Sequence, residues 1–300
     1  MHKDSPSVAR RVIYLCWSLA VALPFWAHPV AAGDPFRSDN ARDIGEETEA
    51  AFEAIFKEGN YPQAERHLLA AQQSEASEPL AQAMLASLAY SQKDWTSLKN
   101  YALRTQETAA ELKSSDPVRG NIYLAVGHFL EGTYKFKQED DLVGAIANLR
   151  EVFDHLEAAE TSDPNDPELN LLKGYMELML AVNLPFSSPE QAIARLQMAA
   201  PTYLVNRGIA VAYRDLKDYD QAREFVEQAL QSTPDNPELY HLKGQILSKH
   251  GRKTDEMSLV KEALENYDIA LAKIEQLPKA TAKSLRRERR KAAEWIQERE

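Results

Sequence analysis

From about residue 45 onward, apolar residues recur three and four positions apart, the spacing of amphipathic helices. The alternating runs that a half-buried strand would need are missing. The pattern is sharpest over Tyr203–Pro234, where Leu204, Ile209, Ala210 and Tyr213 mark the apolar side of one short helix. A tight turn follows at Leu216-Lys217-Asp218-Tyr219-Asp220, with Asp218 or Asp220 able to cap the next helix. Ala222, Val226, Ala229 and Leu230 then share one face of a second helix, which Pro234 stops. Ala210 and Ala222 are small enough to let the two helices cross closely. A hairpin of this size cannot bury its own apolar face, so it needs neighbours of the same kind.

The chain supplies them. DPNDPELNLLKG at Asp163–Gly174 and TPDNPELYHLKG at Thr233–Gly244 lie 70 residues apart and agree at seven of twelve positions. In each, the first proline ends one helix, Asp166 or Asn236 caps the next, and Pro167 or Pro237 occupies its first turn. Further hairpins are predicted from Phe52 with Asn60 as cap, from Pro79 with Trp95 opening the second helix, and from Pro117 with Gly127 at the crossing. Two more follow from Pro167 and Pro237, with Gly174 and Gly244 at their crossings.

These units resemble tetratricopeptide repeats, helix-turn-helix pairs with small residues, aromatics and a closing proline at fixed spacings. The resemblance covers residues 45–277 and is best over Tyr203–Asn236, where Ala222, Val226, Ala229 and Pro234 stand in family positions. Asn206, Ala210 and Val226 replace the family's tryptophan, glycine and phenylalanine. The implied fold is all-α, a right-handed α-solenoid of about six hairpins. The expected boundaries are a signal peptide at 1–32, a flexible, exposed leader at 33–44, the repeats at 45–277 and a capping helix at 278–300. Between their two helices, three units carry six or seven extra residues relative to the Ala210–Ala222 pair. These inserts, within 131–144, 181–191 and 249–262, are expected to form loops along one edge.

Composition changes this picture mainly at the two ends. Lys3, Arg10 and Arg11 precede the apolar run Val12–Ala27, and Val30-Ala31-Ala32 offers a cleavage site before Gly33. The expectation is export to a periplasm or an equivalent lumen; an uncleaved N-terminal membrane anchor is the alternative. Cys16, the one cysteine, lies inside that segment, so a cleaved chain would have no thiol chemistry. The net charge of −11 argues against general nucleic-acid binding. At the other end, Leu285, Ala292 and Ile296 form a narrow apolar stripe on a helix otherwise covered by Arg286, Arg287, Arg289, Arg290 and Lys291. That helix reads as a cap on the last repeat, with peripheral contact to an anionic lipid surface as the second reading.

No catalytic constellation emerges, and neither a metal site nor a cofactor is expected. None of His67, His128, His155, His241 and His250 stands in an H-x3-H pair or an H-E-x-x-H arrangement, and phosphate and dinucleotide motifs are missing. A hydrolase is the unlikely alternative. What remains is a surface, and the resemblance implies that the first helix of each pair lines an inner, concave face. Inner positions lie six and three residues before each crossing residue and one, four and five after it. The partner-binding candidates so defined are His128, Tyr175, Met179, Arg207, Val211 and Arg214. They suit a protein or peptide partner with apolar anchors and an acidic group. The resulting expectation is a non-catalytic scaffold, with the inserted turns as the alternative binding site and an unassigned oligomeric state. A role in assembling an envelope or internal-membrane complex belongs to the same expectation. The family's carboxylate clamp is not carried over, because Tyr175 and Val211 occupy two of its positions.

Overall fold

The computed structural model describes residues 33–183 and 189–300. The expected signal peptide, part of the 181–191 insert and the side chain of Met179 lie outside the described residues. Secondary structure in the described residues is helical, with no strand among them. The helices are α1 (Glu46–Phe52), α2 (Tyr61–Ser74), α3 (Pro79–Gln92), α4 (Trp95–Leu112), α5 (Pro117–Tyr134), α6 (Leu142–Ser162) and α7 (Pro167–Asn183). They continue with α8 (Pro189–Leu196), α9 (Thr202–Leu216), α10 (Tyr219–Ser232), α11 (Pro237–Thr254), α12 (Met257–Leu271) and α13 (Lys279–Gln297). Consecutive helices pack as six hairpins, α1/α2 through α11/α12, and α13 lies against α12 and α11. Among the described residues no helix is long and apolar enough to cross a membrane.

Local chemistry fixes the hairpin ends. Asn60, Glu78, Asp94, Asp116, Asp141, Asp218 and Asn236 each accept a backbone N–H in the first turn of the helix they precede. Prolines at the first turn of α3, α5 and α11 fit because their missing N–H would have no intrahelical acceptor. At the crossing in the last hairpin, a Cβ on Gly244 would stand 2.5 Å from the Tyr267 ring, so only glycine lets α12 approach this closely. Side chains such as Leu68, Leu98, Ile122, Leu169, Ile209, Leu239 and Leu285 are fully buried between successive helices. Each contributes about 1.5–3 kcal/mol by leaving water. The apolar stripe of the last helix is turned inward, with Ala282, Leu285, Ala292 and Ile296 buried.

Two expectations are corrected. The inserts at 131–144 and 249–262 are extra helix with short turns, not loops. α5 runs to Tyr134 and continues as a π-turn over Lys135–Glu139, and α11 runs to Thr254. These stretches hold Lys, Glu, Gln and Arg with no proline, and such residues extend a helix at little cost. Only left-handed Asp140 and Asp255, at φ 53° and 58°, turn the chain.

The second correction concerns residues 33–44. They are exposed only in part: Ser38–Ala41 and Asp43 face solvent, but Phe36 and Ile44 are buried with the core, and Phe36 meets Phe52 edge-on at 5.1 Å between ring centres. A stretch rich in Gly, Pro and Asp has the composition of a loop. Two apolar anchors and two arginines suffice to fasten it.

Candidate functional site

The first helices of the later hairpins, α5, α7, α9 and α11, are the ones expected to line the inner face, and their two ends are built differently. Along the N-terminal ends of these helices the chain covers itself. Asp166 caps α7 by accepting from the Leu169 N–H at 3.0 Å, and its other oxygen takes Arg37 and, at 3.0 Å, Arg42. Arg42 also reaches Glu168 at 2.9 Å and Asp116, the cap of α5, at 2.7 Å. Beneath it Arg119, 4% exposed, donates twice to Glu78 at 3.0 and 2.6 Å, and the Tyr123 hydroxyl donates to Glu168. Burial pushes the Glu168 carboxyl up to about 7 against the pull of Arg119, Arg42 and the Tyr123 hydroxyl. Paired charges at this depth are costly to orphan.

The same edge continues over the later hairpins. Asn236 caps α11 through Oδ1, which accepts from the Glu238 N–H at 2.9 Å, and its Nδ2 donates to the Phe56 carbonyl at 3.2 Å. Glu238 accepts from the Tyr61 hydroxyl at 3.1 Å and pairs with Arg207 at 3.0 Å. Gly59, at φ +67°, makes this approach feasible. A Cβ there would fall 2.6 Å from the Asn236 amide oxygen. The first hairpin is therefore joined to the last.

Several expected binding residues are drawn into this internal structure. Tyr175 is not presented to a partner: its hydroxyl donates to the Leu204 carbonyl at 2.7 Å and its ring fills the space beside Gly208. Arg207 is held by Glu238, whose carboxylate raises its pKa. Val211 packs partly buried against the α10–α11 core. His128 stacks on His155 at 5.5 Å between ring centres, with the planes 11° apart. Burial, and then the neighbouring His128, hold the His155 imidazole below its usual pKa. Nothing is described of the Met179 side chain.

Arg214 is placed differently. It lines an open cavity of about 310 Å³ toward the C-terminal ends of α9 and α11, together with Lys249, Arg252, Tyr267, Glu288 and Lys291. Its guanidinium is oriented by Asp215 at 2.8 and 2.9 Å and by Gln245 at 2.6 Å. Arg252 donates to the Lys291 carbonyl at 2.7 Å. Glu288 accepts from His241 at 2.8 Å and Gln245 at 2.9 Å. Burial raises its pKa, but hydrogen bonds from His241, Gln245 and Ser284 outweigh this and bring it to about 2. Four cations thus face two carboxylates, Asp215 and Glu288, in a chain that is acidic as a whole. Gln245, Ser248 and Lys249 stand one, four and five residues after Gly244. The spacing rule that identifies Val211 and Arg214 therefore locates these residues too, once it is applied to the last hairpin.

A second open feature lies on the α5/α6 hairpin. Leu142, Ile146, Leu149 and Phe153 share one face of α6 and are exposed, as are Val143 and, nearby in the chain, Phe136. On α13, Lys283, Arg286, Arg287 and Arg290 line a shallow basic recess.

Residues 187–246, from α8 into α11, match the family model for the tetratricopeptide repeat. No curated protein matches the chain. Tetratricopeptide repeats generally bind protein partners and are typically non-catalytic. The chain is thus similar to tetratricopeptide-repeat proteins over residues 187–246, and the hairpins on either side carry on the same all-α pattern of paired helices.

Proposed function

We propose that the chain is an exported, non-catalytic scaffold that holds an acidic segment of a protein partner at the cavity around Arg214. Its place of work would be the periplasm or an equivalent lumen, where it would assist assembly of an envelope or internal-membrane complex. The observation that carries this reading is the clustering of Arg214, Lys249, Arg252 and Lys291 around an open recess, against the acidic balance of the whole chain. Guanidinium and ammonium groups already oriented by protein contacts lose little freedom on taking up a carboxylate. The N-terminal run of residues 12–27 supports export, and mass spectrometry of the mature N-terminus distinguishes a released chain from an anchored one.

A second reading rests on the exposed apolar face of α6. It would seat an apolar helix of a partner protein, ridges into grooves, beside the 131–144 insert. The two are separated by placing a photo-reactive residue at Lys249 or at Ile146, both exposed, in the native host and identifying the cross-linked protein. A product at Lys249 that Arg214→Glu abolishes is the expected result. Cross-linking at Ile146 alone would move the site to α6.

A further inference from the structure

The geometry points to a divalent transition-metal site of the zinc class on the α5/α6 hairpin, held by His128, Glu151 and His155. One ligand atom from each of these residues lies within 4.8 Å of the others. Glu151 and His155 are one helical turn apart on α6, and His128 faces them from α5, so both helices contribute to one point. A zinc ion with nitrogen and oxygen ligands at 2.0–2.2 Å brings four-coordinate ligand atoms to about 3.4 Å from one another. Closing the present spacing takes side-chain rotation of roughly 1–1.5 Å, and one of the two parallel imidazoles turns to aim its lone pair at the ion.

The surroundings are built as a metal ligand's outer contacts are. Asn121, buried in α5, donates its Nδ2 to the Pro117 carbonyl at 2.8 Å, which fixes the amide with Oδ1 toward His155. That oxygen lies 3.0 Å from His155 Nδ1, so Nδ1 carries the proton and Nε2 is left free to ligate. Glu131 stands 4.0 Å from His128 Nδ1 and is itself fixed by Gln106 at 3.0 Å and Asn148 at 2.9 Å. The Asn121 contact is the arrangement that sets tautomer and ring direction in histidine metal sites, while Glu131 lies near His128 Nδ1 without bonding it. Two imidazoles and one carboxylate select the zinc, nickel and copper class over magnesium or calcium. They leave a fourth position for water or for a side chain brought by another protein.

Isothermal titration of the untagged full chain with Zn²⁺ is expected to show one saturable site of 1:1 stoichiometry. Separate His128→Gln and His155→Gln variants should each weaken it at least tenfold, and Asn121→Ala by about 10–100-fold through the freed His155 ring. His67→Gln and His250→Gln should leave it unchanged. Titration with Co²⁺ is expected to give visible d–d bands of a four-coordinate ion that vanish in His155→Gln. Circular dichroism shows whether each variant retains its helices. A wild-type chain with no saturable site, or a folded His128→Gln/His155→Gln double variant that binds Zn²⁺ like the wild type, would overturn the assignment.

Discussion

The two edges of the inner face differ in what they do with charge. At the N-terminal ends of α5, α7 and α11, every cap carboxylate or amide is consumed by the chain's own first 61 residues. At the C-terminal ends of α9 and α11, cations line an open cavity and are only partly offset by Asp215 and Glu288. The first arrangement is deep and its charges are paired with one another, although Arg119 Nε and Glu238 Oε2 lack a hydrogen bond, and it is therefore structural. The second is oriented but still accessible, which is what recognition needs. An arginine on the inner face is thus not by itself evidence of binding. Arg207 and Arg214 stand on the same helix, yet one is paired with Glu238 at the closed edge and the other lines the open cavity.

The largest test of the closed edge is Arg119→Ala. It leaves Glu78 and Glu168 buried without their guanidinium and should cost about 3–5 kcal/mol in urea unfolding. A loss below 1 kcal/mol would show that water reaches this edge and would erase the contrast. Arg42→Ala should cost about 2–3 kcal/mol and expose residues 33–44 to limited proteolysis, with cleavage near Arg37 as the readout. Asn236→Asp gives the second copy of the duplicated motif the cap residue of the first. The cap to Glu238 survives but the donor to the Phe56 carbonyl is lost, so thermal unfolding should report a cost of about 1–2 kcal/mol.

The smallest effect belongs to the open edge. The Glu288 carboxyl, held at about 2 in the folded chain, contributes stability that is present above about pH 4.5 and is lost as pH falls toward 2. Glu288→Gln should flatten that acid limb by about 1 kcal/mol, a figure discounted for the partial exposure of the carboxylate. An unchanged acid limb would mean that His241 and Gln245 do not hold this carboxylate in solution.

Much of this was written locally and could be read locally. Prolines 79, 117, 167 and 237 open helices as their neighbours imply, and Asn60, Asp218 and Asn236 cap them. Applied to the last hairpin, the inner-face spacing falls on Gln245, Ser248 and Lys249, which line the cavity. What the pattern could not show are contacts between distant segments. Arg42 meets Asp166 and Glu168 across more than a hundred residues, and a Gly-, Pro- and Asp-rich stretch carries no periodicity to reveal where it docks. The duplicated motif did hold a clue. Asp stands at 166 and Asn at 236 because one cap receives arginines and the other must donate to a carbonyl. His128 and His155 escaped because they converge only when α5 and α6 fold onto one another.

The tie between the Phe56–Tyr61 turn and Asn236–Glu238 bears on how such a molecule comes apart. A linear stack sheds modules one at a time from its termini, since each unit answers only to its immediate neighbours. Knotting the opening module to the closing ones across some 180 positions of sequence removes that freedom to fray. Denaturation should then be abrupt and shared by the whole array. Assembly must wait until the last module has emerged, which raises contact order and slows the final step.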